Sequence, residues 1–145
     1  MRFKFAYGKA VIVAVLSLPL FLAACATSGG VSTQKMTLEQ MQERAAARSS
    51  ARWKALTDKR FSEAFNYLSE ASRVGITQNE YQATMQRMGY LAAGVTGVSC
   101  ENTVCTVRVN LTLPVYVRNV GARPQDIPVE ELWTLQNGEL WLIRR

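Results

Sequence analysis

The chain has 145 residues, 48% of them hydrophobic and 19% charged, with three cysteines, no histidine and a formal net charge of +6. That length suits one folded domain with a single core, and the lack of histidine excludes imidazole metal sites and histidine-based acid–base catalysis. The basic surplus does not indicate nucleic acid: half of it is Arg2, Lys4 and Lys9 at the extreme N-terminus, the remaining arginines are scattered (among them Arg44, Arg48, Arg52, Arg60, Arg73 and Arg87) with Arg144-Arg145 at the end, and no nucleic-acid motif accompanies them.

The first 25 residues have the layout of an export signal. Arg2, Lys4 and Lys9 form a cationic start, Ala10 to Phe21 is an uncharged apolar run, and small residues follow immediately before a cysteine. Leu22-Ala23-Ala24-Cys25 resembles the lipobox of bacterial lipoproteins. In that family the cysteine thiol receives a diacylglyceryl group and the peptide bond before it is cut, so the resemblance implies a signal peptide over 1–24 and lipid attachment at Cys25. A transmembrane anchor fits less well, because the run is shorter than the roughly 18–20 apolar residues that span a bilayer and contains Pro19. Ala26, where inner-membrane lipoproteins often carry Asp, favours the outer membrane by the same family rule. Residues 25–36 then read as the lipidated cysteine and a flexible tether with two adjacent glycines, with a reach of about 5–6 Å × √n for n residues. Acyl chains would hold the protein to the membrane by hydrophobic burial, at about 0.8 kcal/mol per methylene.

One domain is expected over 37–145, helical first. Thr37 and Gln40 fit a capping box, with Met36 and Met41 as its hydrophobic staple. Leu38, Met41, Ala45, Trp53 and Leu56 share one broad face, which predicts a helix over about 37–56. Thr57-Asp58 is expected to cap a second, shorter helix, in which Phe61, Ala64, Phe65 and Leu68 make a buried stripe. Gly75 interrupts the chain. Thr77 with Glu80 and Ile76 with Tyr81 then start a third helix, Tyr81, Met85 and Met88 form its apolar side, and Gly89 stands at its C-cap.

From Tyr90 the period changes to two. A strand over about 91–100 contains Gly94 and Gly97, which mark a bulge or bend. Cys105, Val107, Val109, Leu111 and Leu113 alternate with polar residues, as in a half-buried antiparallel strand. Pro114, Pro124 and Pro128 are expected to bracket a loop with a short strand at 115–118. A final hairpin, 129–135 and 140–145, turns at Asn137-Gly138, where both positions need positive φ. With Cys25 lipidated, Cys100 and Cys105 remain in an oxidising compartment. They form neither a C-x-x-C redox motif nor a four-ligand zinc set, and they can face each other across the mouth of a hairpin. A structural disulfide is expected, with no metal and no cofactor.

Three helices followed by a bent antiparallel meander resemble the nuclear transport factor 2-like fold. The echoes are Arg52–Leu56 (RWKAL), Tyr67–Arg73 (YLSEASR) and Glu131–Ile143 (ELWTLQNGELWLI). The resemblance implies an α+β class, with N-terminal helices packed on a curved, cone-like antiparallel sheet. A helix-pair-plus-meander lipoprotein of the outer-membrane assembly type is a competing architecture. Members of the fold are enzymes, binders or assembly modules, so fold alone does not settle function. Tyr67, Tyr81, Glu131 and Trp133 are the residues that would line a pocket in the cone. Glu131 would serve as a carboxylate base if it faced that pocket with Trp133, or would be solvated or paired with an arginine if it did not.

A two-residue turn at Asn137-Gly138 pairs Trp133 with Leu142 and Thr134 with Trp141. It puts Trp133, Leu135, Leu140 and Leu142 on one face and Leu132, Trp141 and Ile143 on the other. Only one face can meet the helices in a two-layer domain, so Leu132, Trp141 and Ile143 are candidate interface residues. In the resembling fold the outer sheet face is a common dimer surface. The functional expectation is a non-catalytic outer-membrane lipoprotein facing the periplasm, binding a second copy, an envelope protein or a small apolar ligand. An enzyme acting on a small hydrophobic substrate with a carboxylate base is the alternative.

Overall fold

A computed structural model describes residues 36–144. The signal segment, Cys25 and the tether up to residue 35 lie outside the described residues. Helix α1 (Leu38–Thr57) begins with the expected capping box: the Thr37 hydroxyl accepts from the Gln40 N–H, and the Gln40 side chain accepts from the Thr37 N–H. Its buried residues, Met41, Ala45, Ser49, Arg52, Trp53, Ala55 and Leu56, recur at spacings of three and four, as one helical face requires. Ala45 and Ser49 are fully buried, small side chains in the middle of the face that packs on the sheet. Leu38, expected on that face, is exposed, because the first turn begins before the helix meets its partners.

Helix α2 (Phe61–Phe65) and the following Leu68 bury the expected stripe of Phe61, Ala64, Phe65 and Leu68. Its start is a correction. Asp58 does not cap it: Asp58 is the C-cap of α1, its carboxylate pairs with Lys54 and Arg60, and Arg60 occupies the N-cap of α2, where its side chain makes no capping bond to the helix backbone. Lys54, and then Arg60, hold the Asp58 carboxyl below its usual range by hydrogen bonding to its charged form. A four-residue helix that the periodicity did not resolve, α3 (Glu70–Arg73), is capped by Ser69.

Helix α4 (Gln78–Met88) has the expected Thr77/Glu80 capping box and ends at Gly89, whose φ of 64° is left-handed. The Thr77 backbone N–H, followed by its hydroxyl, holds the Glu80 carboxyl below its usual range. Tyr81 is buried and Met85 partly so, whereas Met88 is exposed rather than on the apolar side.

The sheet is antiparallel, with four strands in the order β1 (Ala92–Glu101), β2 (Val104–Val117), β3 (Gly121–Gln136) and β4 (Glu139–Ile143). The register of β1 against β2 shifts between Val95 and Gly97, leaving Thr96 as the extra residue of a bulge beside the predicted glycine. Cys100 lies opposite Cys105 and is disulfide-bonded to it. The last hairpin has the expected register through Leu132↔Ile143, and the last strand stops at Ile143 rather than running to the C-terminus.

The proline-bracketed loop is the largest correction. β2 runs through Pro114 to Val117, and β3 runs through both Pro124 and Pro128, pairing Pro114 with Pro124. The Leu91 N–H donates to the Thr112 carbonyl and the Leu135 N–H donates to the Thr103 carbonyl. Even-numbered residues of both strands therefore aim their backbone polar groups away from the β2–β3 ladder. All three prolines are even-numbered. β1 pairs with β2 no further than Thr112, and β4 with β3 no further than Leu132. The missing N–H groups thus fall on free edges, where proline is tolerated in a sheet.

The core lies between one sheet face and the helices. It contains Cys105, Val107, Val109 and Leu111 of β2, Trp133 of β3, and Leu140 and Leu142 of β4, with Met41, Trp53, Leu56, Phe65 and Tyr81 from the helices. This is the expected α+β class, helices on an antiparallel sheet. Residues 34–145 make a compact unit that contains this whole core. The free edge of β4 is covered by residues 67–69: Leu142 donates its N–H to the Tyr67 carbonyl and accepts from the Ser69 N–H.

Candidate functional site

Glu131 follows the alternation that its neighbour Trp133 sets, so it points into the core and is only 7% exposed. It is not solvated. Its Oε1 accepts from Arg52 Nη1 at 2.5 Å, and its Oε2 accepts from Ser49 Oγ at 2.6 Å and from Trp133 Nε1 at 3.0 Å. A carboxylate offers about four acceptor sites, so three bonds leave little for a substrate. Arg52, 6% exposed, extends the cluster: its Nη2 donates to the Tyr81 hydroxyl at 3.2 Å, and its guanidinium lies 4.8 Å from the Trp53 ring centroid. The cluster ties α1, β3 and α4 together. Arg52 Nε and Trp53 Nε1 have no hydrogen-bond partner among the described residues.

Of the residues expected to line a pocket, Tyr81, Glu131 and Trp133 are buried and joined to the Arg52 cluster, and Tyr67 is half-buried with its ring edge-on to Trp133 at 6.3 Å. The polar side-chain atoms of Tyr81, Glu131 and Trp133 are spent on one another and on Arg52 and Ser49, as in a filled interior. Arg52, Ser49 and Arg48 were not singled out in the sequence. A signal existed for Arg52: it falls on the apolar stripe of α1, and a cation there requires a buried partner.

Tyr90 stands edge-on to Trp53 at 5.1 Å, and its hydroxyl lies 3.5 Å from Met85 Sδ. Burial first, and the neighbouring Tyr81 less, push the Tyr90 hydroxyl above its ordinary range, while Arg52 acts the other way.

A second cluster sits where β4 meets the helices. Arg48 pairs with Glu139 at 3.3 Å, and its guanidinium lies 5.0 Å from the Tyr67 ring and 5.1 Å from the Trp141 ring. Arg73 approaches Trp141 to 5.9 Å. Leu132, Trp141 and Ile143 are half-buried and lie, by strand alternation, on the face opposite Trp133, Leu140 and Leu142, with the Trp141 ring partly covered by the Arg48 and Arg73 side chains. The register sets Thr106 beside Leu132 and Ile143, and Val104 beside Thr134 and Trp141. Among the described residues no group of acids and cysteines could hold a metal ion, and no helix is long and apolar enough to cross a membrane.

No protein-family model and no curated protein matches the chain. Among solved structures it is similar to a SEC-C motif-containing protein from Rhodopseudomonas palustris. The identity is 18% and the TM-score 0.55, over 68% of this chain and 73% of that one. It is also similar to a protein described as an NTF2-like transpeptidase from Campylobacter jejuni, at 10% identity and a TM-score of 0.43, over 67% of this chain and 94% of that one. The first likeness is one of fold: the chain shares its architecture, helices on an antiparallel sheet, with a solved bacterial protein of very different sequence.

Proposed function

We propose that this chain is a non-catalytic lipoprotein of the outer membrane, anchored through Cys25, whose nuclear transport factor 2-like domain binds a protein in the periplasm through the outer face of its sheet. A second copy of the chain is the first partner to test. The observation that carries the reading is the two-sidedness of the final hairpin. Leu140 and Leu142 are buried under the helices, while Leu132, Trp141 and Ile143 keep solvent exposure on the other face beside Val104. Apolar side chains clustered on a partly exposed sheet face are an interaction surface more often than scattered ones are. A partner is favoured over a small apolar ligand because the aromatic residues that would line an interior pocket are packed on protein atoms. The occupied acceptors of Glu131 count against a carboxylate base.

The test is sedimentation and thermal melting of Trp141→Ser. Loss of association with an unchanged melting temperature supports the interface; a large drop in melting with the oligomeric state unchanged places Trp141 in the fold's own stability instead. The anchor is tested separately. Cys25→Ser should abolish lipid labelling, and unchanged membrane attachment of processed protein would overturn it.

A further inference from the structure

Beyond Thr112, β2 has no partner but β3, and before Leu132 β3 has no partner but β2. The pairs Leu113↔Gln125 through Val117↔Gly121 therefore form a two-stranded arm that runs past the end of β1 by about 17 Å, at about 3.3 Å per residue. Its end is apolar and exposed: Tyr116 is 83% exposed, Val117 47% and Val120 51%. A soluble domain gains nothing by ordering such side chains in water.

The charge on the arm has one sign. Between Arg108 and Asp126 the charged residues are Arg118 and Arg123, with no acid. Both are exposed, and neither is in an ion pair among the described residues. The backbone edges carry a further indication. Pro114, Pro124 and Pro128 stand where outward N–H groups would otherwise invite another strand, a device that blocks edge-to-edge pairing. Contact at the arm is thus left to side chains.

We propose that the tip of the β2–β3 arm docks on an anionic lipid surface. Tyr116, Val117 and Val120 enter the headgroup region, and Arg118 and Arg123 meet lipid phosphates. A tyrosine ring with a polar end suits that interface, and long arginine stems keep their charge at the headgroups while their methylenes lie on apolar surface. Insertion stops there, because the free edges of a two-stranded ribbon carry unpaired backbone groups that the hydrocarbon interior does not accept. The proposal rests on the lipoprotein reading only for bringing a bilayer within reach of the arm.

The experiment is co-sedimentation of residues 34–145, the compact unit that contains the whole core, with two kinds of vesicle. One is an equal mixture of phosphatidylethanolamine and phosphatidylglycerol, the other pure phosphatidylcholine. This chain lacks Cys25, so its failure to bind is distinct from failure of lipidation. Binding to the anionic vesicles alone, weakened by salt, is expected. Arg118→Gln and Arg123→Gln should each weaken it about 5-fold and together about 30-fold, and Tyr116→Ser should weaken it with the melting temperature unchanged. No binding to anionic vesicles, equal binding to both kinds, or binding indifferent to these substitutions overturns the proposal. So does a change in oligomeric state on Tyr116→Ser without vesicle binding, which would assign the tip to a second copy of the chain.

Discussion

Arg52 of α1 and Glu131 of β3, 79 positions apart in sequence, form a 2.5 Å ion pair buried between the helices and the sheet. A buried pair is costly to desolvate, and its strength depends on the hydrogen bonds around it. Here Ser49 and Trp133 bond the carboxylate, and Tyr81 accepts from the guanidinium. The pair fixes which face of α1 meets which stretch of β3, a discrimination that apolar contacts with Ala45 and Ala55 would not provide.

Breaking that pair from either side should be strongly destabilising. Arg52→Met or Glu131→Leu alone should cost about 3–5 kcal/mol by leaving a buried charge unpaired. The double substitution should cost much less than the sum, because no orphaned charge remains. Urea denaturation of the three variants checks this; additive losses would mean that the two residues act independently.

Replacing Cys100 and Cys105 together with serine should lower stability by about 2 kcal/mol, the chain-entropy value for so short a loop. The fold should survive, since the two residues already face each other in the ladder. Two free thiols on alkylation of the unreduced protein would contradict the bridge.

Stability should decline in alkali through Tyr90. Its hydroxyl is raised above the ordinary value near 10, so the folded state holds the proton more tightly than the unfolded chain. That contribution is complete below about pH 10 and is lost as pH rises through the folded value. Tyr90→Phe should remove this part of the alkaline decline, which a pH series of urea midpoints would detect.

Two glycines should respond differently to alanine. At Gly97 a Cβ would lie 2.7 Å from Arg108 Nη2, the end of a flexible side chain that can move aside, so the cost should stay below about 1 kcal/mol. Gly89, with φ of 64° at the C-cap of α4, has no such relief and should lose about 1 kcal/mol or more. Equal losses at the two positions would refute the distinction.

By itself the sequence determined what depends on near neighbours along the chain. Thr37 with Gln40 and Thr77 with Glu80 start helices because each bond spans three residues, and Gly89 ends one because its own φ is positive. Asn137-Gly138 sets the register of the last hairpin because a two-residue turn fixes every pair after it, and the alternation sets Glu131 on the same face as Trp133. Only the tertiary structure decided what depends on a distant neighbour. Pro114, Pro124 and Pro128 read as loop residues until β1 and β4 prove too short to cover their edges. The bonds of Tyr67 and Ser69 to Leu142 join segments more than 70 positions apart, and nothing local announces them. Whether Glu131 would be solvated, paired or poised for chemistry depended on Arg52, brought there by the packing of α1 on the sheet.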